Sequence, residues 1–295
     1  MSLYWFLLLL QLHSLVWLTS SLSPFPPPPS SSAIARLHCK DHCGKVKIPY
    51  PFGIGANCYQ NPWYEIVCNS SSDPPKALLR HYNLEVTKIT WPAFNQDMTE
   101  RPVDYQTLTV HAPIRNICAS QGVVSSSDFR GSPYIFSGMF NVFKVEGCSG
   151  TVLLKNRSGQ AMAGCASVCT NSQVAMTKAA NCYGAGCCQS SVAYDYAFDY
   201  YEIGLDHVSP TRSTTCNLVA ALVDSESADK MAGRLSHLRT APAVLQWRAT
   251  YLTANDTRDS DSFSCADYAG LNLQTCQCTV SYRGNPYFPN GCQGN

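Results

Sequence analysis

From residue 39 onward the chain alternates apolar and polar positions in short runs. Leu84 and Val86 alternate with Glu85 and Thr87 ahead of Lys88 and Ile89, and Leu108 and Val110 alternate with threonines. Phe140 and Val142 lead into a Phe143–Val145 pair, residues 151–154 form a further run, and residues 192–203 are rich in aromatics. A period of two puts the apolar set on one side of a pleated strand, so these runs predict short strands. The 18 Gly and 18 Pro that punctuate the sequence supply turns. One window departs from the period. Ala228, Met231, Ala232, Leu235 and Leu238 fall at helical spacing, with Ser225 as a cap and Pro242 as a stop, and predict a packing helix. The first residues differ again. Residues 3–18 are almost wholly apolar, with small residues at Ser20, Ser21 and Ser23, and 1–22 read as a secretory signal peptide, although no Lys or Arg precedes the apolar run. The alternative is an uncleaved anchor. Residues 23–38, opening on a proline tract and then serines, read as a disordered tail. No later stretch approaches the ~20 apolar residues of a membrane span.

Cysteine content changes the picture. All 16 cysteines fall at or after Cys39, a density that survives as disulfides in an oxidising compartment. Six (Cys39, Cys43, Cys58, Cys68, Cys118, Cys148) precede an expected boundary near residues 155–160, and ten (Cys165, Cys169, Cys182, Cys187, Cys188, Cys216, Cys265, Cys276, Cys278, Cys292) follow it. Both counts are even, which allows each half to close its own bridges, but connectivity cannot be read from spacing, since six cysteines alone allow 15 pairings. The predicted fold is mainly β: an irregular, disulfide-rich, two-lobe extracellular architecture with one or two short helices, its domains spanning 39–155 and 160–295. Sequons at Asn69, Asn156 and Asn255 suit the secretory route.

Charge is sparse, at 14% of residues against a typical ~25%. Residues 39–159 carry 12 Lys/Arg and 9 Asp/Glu, a balance of +3; residues 160–295 carry 8 and 11, a balance of −3. Neither half is basic enough for nucleic acid. His38, Cys39, His42 and Cys43 form a zinc-like cluster, but in a secreted chain disulfides take precedence, and no metal or cofactor is implied. Asp195, Asp199, Glu202 and Asp206 lie among tyrosines, as in a glycosidase. On a strand, however, Asp195 and Asp199 share one face while Glu202 takes the other, which fits a solvated strand.

The densest constraint is Cys39-Lys-Asp-His-Cys43-Gly-Lys-Val-Lys-Ile-Pro49-Tyr-Pro51-Phe-Gly53-Ile-Gly55-Ala-Asn-Cys58. Its prolines fix extended geometry and its glycines permit turns, so by physics alone it is a rigid corner. It also resembles the opening of the galacturonan-binding extracellular region of plant wall-associated receptor kinases. Trp63-Tyr64-Glu65-Ile66-Val67-Cys68 is similar to that family's next block. Residues 184–189, with vicinal Cys187 and Cys188, and residues 276–293, with Gly284-Asn285-Pro286-Tyr287, are similar to its later cysteine modules. Ser281 departs from the family's usual Gly. Family members continue into a calcium-binding EGF module, a membrane span and a kinase. No Gly-rich phosphate loop, catalytic Lys or H-R-D segment stands in this sequence, so kinase activity is not carried over and no enzyme is expected. Cys276-x-Cys278 and Cys292 match the closing loops of an EGF-like unit, without an acidic cluster for calcium.

The resemblance implies a non-enzymatic binder of acidic cell-wall polysaccharide (galacturonan) in the extracellular space or wall, attached to the plasma membrane if the native product continues beyond Asn295. A membrane co-receptor is a second partner. The expected ligand residues are a row of cations, Lys40, Lys45, Lys47, Lys76, Arg80 and Lys88, with Tyr50 and Trp63 stacking on sugar faces. Lys45 and Lys47, two apart, would share one face of an extended segment. The rival reading is a protein-interaction ectodomain, binding a peptide or co-receptor, with no sugar affinity.

Overall fold

A computed structural model describes residues 34–90, 106–118, 123–148, 150–169, 182–193, 197–208, 218–250, 259–268, 273–288 and 290–294. The signal-like segment, the proline tract, Asp195 and Asn255 lie outside the described residues.

The period-two runs are strands. Leu84–Ile89 and Thr107–Pro113 pair antiparallel, with Val86 opposite Val110 and both side chains in the core. They belong to a seven-stranded antiparallel sheet in the order Ala197–Phe198, Tyr134–Ser137, Thr240–Trp247, Thr107–Pro113, Leu84–Ile89, Lys76–Leu79, Ile66–Asn69. A four-stranded sheet orders Cys187–Ser191, Asn141–Gly147, Leu218–Asp224 and Arg115–Ile117; another orders Ala161–Ser167, Gly150–Lys155, Tyr200–Val208 and Val123–Asp128. A third, Ala249–Thr250, Leu273–Cys278, Phe263–Tyr268 and Asp259–Ser260, precedes a C-terminal hairpin. The architecture is mainly β and disulfide-rich, as the pattern predicts.

Strands from both sides of residue 155 share the seven-stranded sheet and the first two four-stranded sheets. Thr240–Trp247 lies between Tyr134–Ser137 and Thr107–Pro113. The expected boundary is itself a tight turn: Gly159 N–H donates to the Asn156 carbonyl, and the flanking strands Gly150–Lys155 and Ala161–Ser167 pair with each other. The Cys148–Cys169 disulfide spans that hairpin and so joins the two sides of the expected boundary. Counting parity cannot detect a bridge across a turn. The other described bridges are Cys39–Cys58, Cys43–Cys68, Cys165–Cys188, Cys182–Cys187, Cys265–Cys276 and Cys278–Cys292.

The helix expected over 225–238 is only two short 3-10 turns, Asp229–Met231 and Leu235–His237. Gly233, at φ 69°, breaks the run between them, a left-handed conformation that ends a helix. Ala228 and Leu235 still bury, as the spacing requires. Beneath them lie two charged side chains of strand Asn141–Gly147. Lys144 is 1% exposed and its Nζ donates to the carbonyl of Ala228 and to Gln189 Oε1, both at 3.2 Å. Glu146 Oε2 accepts from the Leu235 N–H at 2.8 Å. Burial depresses the lysine's affinity for its proton.

An aromatic cluster joins residues 52–64 to Tyr134 and Trp247. Phe52 meets Tyr64 at 5.4 Å and Trp247 at 5.1 Å, both edge-to-face. The Tyr64 hydroxyl donates to the Arg248 carbonyl at 2.6 Å, and the Tyr134 hydroxyl to the Trp63 carbonyl at 2.7 Å.

Candidate functional site

Residues 42–47 fold back as a hairpin. His42 stands opposite Lys47 and Cys43 opposite Val46. Gly44 occupies the turn at φ 57°, where an added Cβ would run into the Pro75 carbonyl oxygen. Cys43 and Val46 turn toward the core, with Cys43 bonded to Cys68, so Lys47 and His42 take the solvent side. Lys45 sits in the turn rather than beside Lys47 on one extended face. Lys40, Lys45 and Lys47 are all exposed, and among the described residues no carboxylate forms an ion pair with any of them. Asp41 is engaged locally: its Oδ1 lies 2.8 Å from His42 Nδ1, and that hydrogen bond holds its carboxyl below the usual range.

The six cations do not form one row. Register places Cys68, Ala77 and Val86 side by side on the core face of the sheet. Side chains alternate along a strand, so Lys76, Glu85 and His111 take the opposite face, and a register shift between Val86 and Lys88 turns Lys88 to it as well. The Cys43–Cys68 bridge holds the hairpin on the first face; Lys76 and Lys88 stand on the second. Lys76 is also paired across strands with Glu85 at 3.0 Å, with His111 Nδ1 3.5 Å from the same carboxylate oxygen, and Arg80 is paired with Glu65 at 3.2 Å. Lys88 is exposed and makes no ion pair among the described residues.

Tyr50 is a packing residue. It is 4% exposed, with its ring stacked on Phe288 at 4.8 Å and the Arg36 guanidinium 4.6 Å from its centroid. Its hydroxyl accepts from Arg36 at 2.9 Å. No face remains for a sugar ring. Trp63 is only partly buried, and lies 4.2 Å from the exposed His81 and 6.2 Å from Tyr82. The sequence reading missed Arg36, which composition assigned to the tail. The Ile34 carbonyl accepts from the Tyr50 N–H at 2.8 Å, so residues 34–38 belong to the fold. The available signal was Ile34, the first aliphatic residue with a core partner after the serine run.

The C-terminal loop completes this corner. Asn285 Nδ2 donates to the Tyr50 carbonyl at 2.7 Å and to that of Ile34 at 3.4 Å, and Asn285 Oδ1 accepts from the Tyr287 N–H. Tyr287 is fully buried, its hydroxyl accepting from Gln106 and from the Cys276 N–H, and burial raises its pKa far above the usual phenol range. Cys278–Cys292 closes the loop around a Tyr282–Gly284/Cys292–Gly294 hairpin.

Cys39 and Cys43 are spent in disulfides, and among the described residues no group of three or more His, Cys, Asp or Glu is placed to hold a metal. Asp199 lies 3.9 Å from Arg157, and Glu202 accepts from the Tyr200 hydroxyl at 3.2 Å. Asn69 is exposed and Asn156 stands in the hairpin turn, where Ser158 Oγ donates to its Oδ1 at 2.7 Å. Among the described residues no helix is long and apolar enough to cross a membrane.

Comparison with known proteins bears out the resemblance read from the sequence. Residues 39–95 match the family model for wall-associated receptor kinase galacturonan-binding regions. The chain is 26% identical to wall-associated receptor kinase-like 6 of Arabidopsis thaliana, covering 86% of this chain and 44% of that protein. It is 28% identical to putative wall-associated receptor kinase-like 11 (86% and 39%) and to wall-associated receptor kinase 2 (88% and 34%), both of the same plant. The chain thus spans less than half the length of these curated relatives. No solved structure matches it.

Proposed function

We propose that this chain is the extracellular, wall-facing part of a wall-associated receptor-like protein, that it is not itself an enzyme, and that it binds de-esterified galacturonan. The observation that carries the reading is the coincidence of two things in one segment. Residues 39–95 match the galacturonan-binding family, and within them Lys40, Lys45 and Lys47 stand exposed and, among the described residues, without ion pairs. Arg36 extends the strip, anchored by Tyr50. A galacturonan chain carries a carboxylate on each sugar and meets such a strip with several contacts at once. One exposed pair contributes only ~0.2–1 kcal/mol, whereas micromolar binding needs about −8 kcal/mol. Binding therefore requires long oligomers and weakens with salt. The C-terminal Cys276/Cys278/Cys292 loops serve as an EGF-like closing module, and Asn69, Asn156 and Asn255 as glycan acceptors of a secreted product.

The test is calorimetric titration of the protein, thiols oxidised, with galacturonate oligomers of increasing length at low and high salt. Length-dependent, salt-sensitive heat that disappears in a Lys45→Glu/Lys47→Glu variant is the expected result. A polyglutamate control that binds equally well, or no heat at any length, would sink the reading.

One observation favours a protein-interaction ectodomain as the second reading. Tyr183 is 84% exposed on the six-residue loop closed by Cys182–Cys187, and Val168, 62% exposed, is bridged to that loop through Ala185. A rigid aromatic knob of this kind suits a protein partner such as a co-receptor. A pulled-down partner that resists pectinase and is lost in Tyr183→Ala would move this reading to first place.

A further inference from the structure

We infer that the edge formed by Trp63, His81 and Tyr82 is a second glycan subsite, one that takes an uncharged pyranose ring. The inference rests on the wall-glycan reading above, but it sets Trp63 apart from the expected cation row, with His81 and Tyr82, and relies on a different force.

Three turns build the edge. Trp63 sits in the 3-10 turn Pro62–Tyr64, where Asn61 Oδ1 accepts from its N–H at 3.0 Å and the Tyr134 hydroxyl holds its carbonyl. His81 and Tyr82 occupy the turn between Lys76–Leu79 and Leu84–Ile89, closed by the Tyr82 N–H to the Leu79 carbonyl and by Asn83 at φ 51°. Tyr82 rests edge-on against Phe129 at 4.5 Å, which brings in the third turn. The rings are therefore fixed from behind. The imidazole of His81 is exposed, and among the described residues nothing hydrogen-bonds either of its nitrogens or the indole N–H of Trp63.

Beside His81, and on either side of the Phe129 that packs against Tyr82, stand planar polar groups already locked in pairs. Arg80 bonds Glu65, Arg130 Nε donates to both oxygens of Asp128 at 3.0 and 2.7 Å, and Arg157 lies 3.6 Å from Asp128 and 3.9 Å from Asp199. Arg80 and Arg130 remain 61% and 60% exposed. Three guanidiniums against three carboxylates leave this edge without net formal charge, in contrast to the hairpin.

That balance decides the ligand class. A polyanion gains nothing net from a neutral patch and loses contact to its carboxylates. An uncharged pyranose has an apolar C–H face that covers an aromatic ring and a rim of hydroxyls that needs oriented donors and acceptors. The guanidiniums keep N–H donors beyond those used in the ion pairs, and the free indole N–H adds one more. Such a site discriminates by shape and hydrogen bonding and is insensitive to salt. In wall material, the same chemistry belongs to methyl-esterified galacturonan and to neutral glycans.

The experiment uses the whole oxidised protein and two uncharged probes, a fully methyl-esterified galacturonate oligomer and a cello-oligosaccharide, titrated at low and high salt. The expected result is salt-insensitive binding of at least one probe, weakened tenfold or more in Trp63→Ala and in His81→Ala, and unchanged in Lys45→Glu/Lys47→Glu. Which probe binds identifies the source of the ring. His81 is exposed, so its variant keeps the fold where Trp63→Ala disturbs it; the melting temperature checks this. Failure of the charged oligomers together with retained binding of an uncharged probe would remove the hairpin reading and leave the subsite. Binding of neither probe, or binding that survives both variants, overturns the subsite.

Discussion

Asn285 shows how much one buried amide holds. It is 2% exposed, and its side chain serves Tyr50 and Ile34 as donor and Tyr287 as acceptor. Asn285→Ala leaves the Tyr50 carbonyl and the Tyr287 N–H buried without partners, a cost of about 1–3 kcal/mol each way of counting. Asn285→Asp keeps the size but replaces two donors by an anion facing carbonyl oxygens, so it is expected to be worse than Ala. Urea unfolding with the disulfides intact ranks the two, and equal midpoints for Ala and Asp would contradict the assignment. None of this was legible in the sequence, because the partners are 235 residues apart. The same limit explains Tyr50, whose burial depends on Phe288. It explains Lys76 and Arg80 too: each looks like a free surface cation until register brings Glu85 and Glu65, nine and fifteen residues away, into contact. The exposure of Lys40, Lys45 and Lys47 was legible, because a short segment between two cysteines has little chain with which to cover them.

The 42–47 hairpin is the element on which the cation strip depends, and Gly44 is its weak point. The position needs a positive φ, which costs an L-residue roughly 1 kcal/mol, and a Cβ would collide with backbone that cannot rotate away, at Pro75. Gly44→Ala is therefore expected to lower stability by more than about 1 kcal/mol and to lift the hairpin from the sheet. Thermal unfolding measures the first, and a weaker salt-sensitive heat with galacturonate oligomers measures the second; an unshifted melting temperature would contradict both. Strands were the legible elements, since a period of two needs only local sequence. The 225–238 run failed as a helix for a reason also present in the sequence. Gly233 sits in its middle, and a left-handed glycine there costs the helix its continuity while leaving Ala228 and Leu235 their burial.

The family match covers residues 39–95, yet these residues are not a self-sufficient fold. Three of their strands, Ile66–Asn69, Lys76–Leu79 and Leu84–Ile89, form one end of a sheet that continues through Thr107–Pro113 and Thr240–Trp247. Cut at residue 95, the piece would leave Val86 facing an absent Val110 and Phe52 and Tyr64 facing absent Trp247 and Tyr134. Loss of a large buried aromatic costs about 3–5 kcal/mol, and two are missing here. The bridges Cys39–Cys58 and Cys43–Cys68 remain and contribute on the order of 3 kcal/mol apiece through loop closure. That offsets the lost aromatics in part but supplies no core, and a chain of about 60 residues is marginal even with one. Residues 34–95 expressed alone are thus expected to show no near-ultraviolet circular dichroism and no cooperative melt, whereas residues 34–294 show both. A cooperative melt of the short piece would prove the region autonomous. The outcome also governs how ligand binding is read. If the short piece does not fold, its failure to bind galacturonan says nothing about Lys45 or Lys47. Arg36 is held by Tyr50, and Tyr50 by Phe288 and Asn285, so Arg36 takes its place beside the hairpin only when the C-terminal loop is docked against Tyr50.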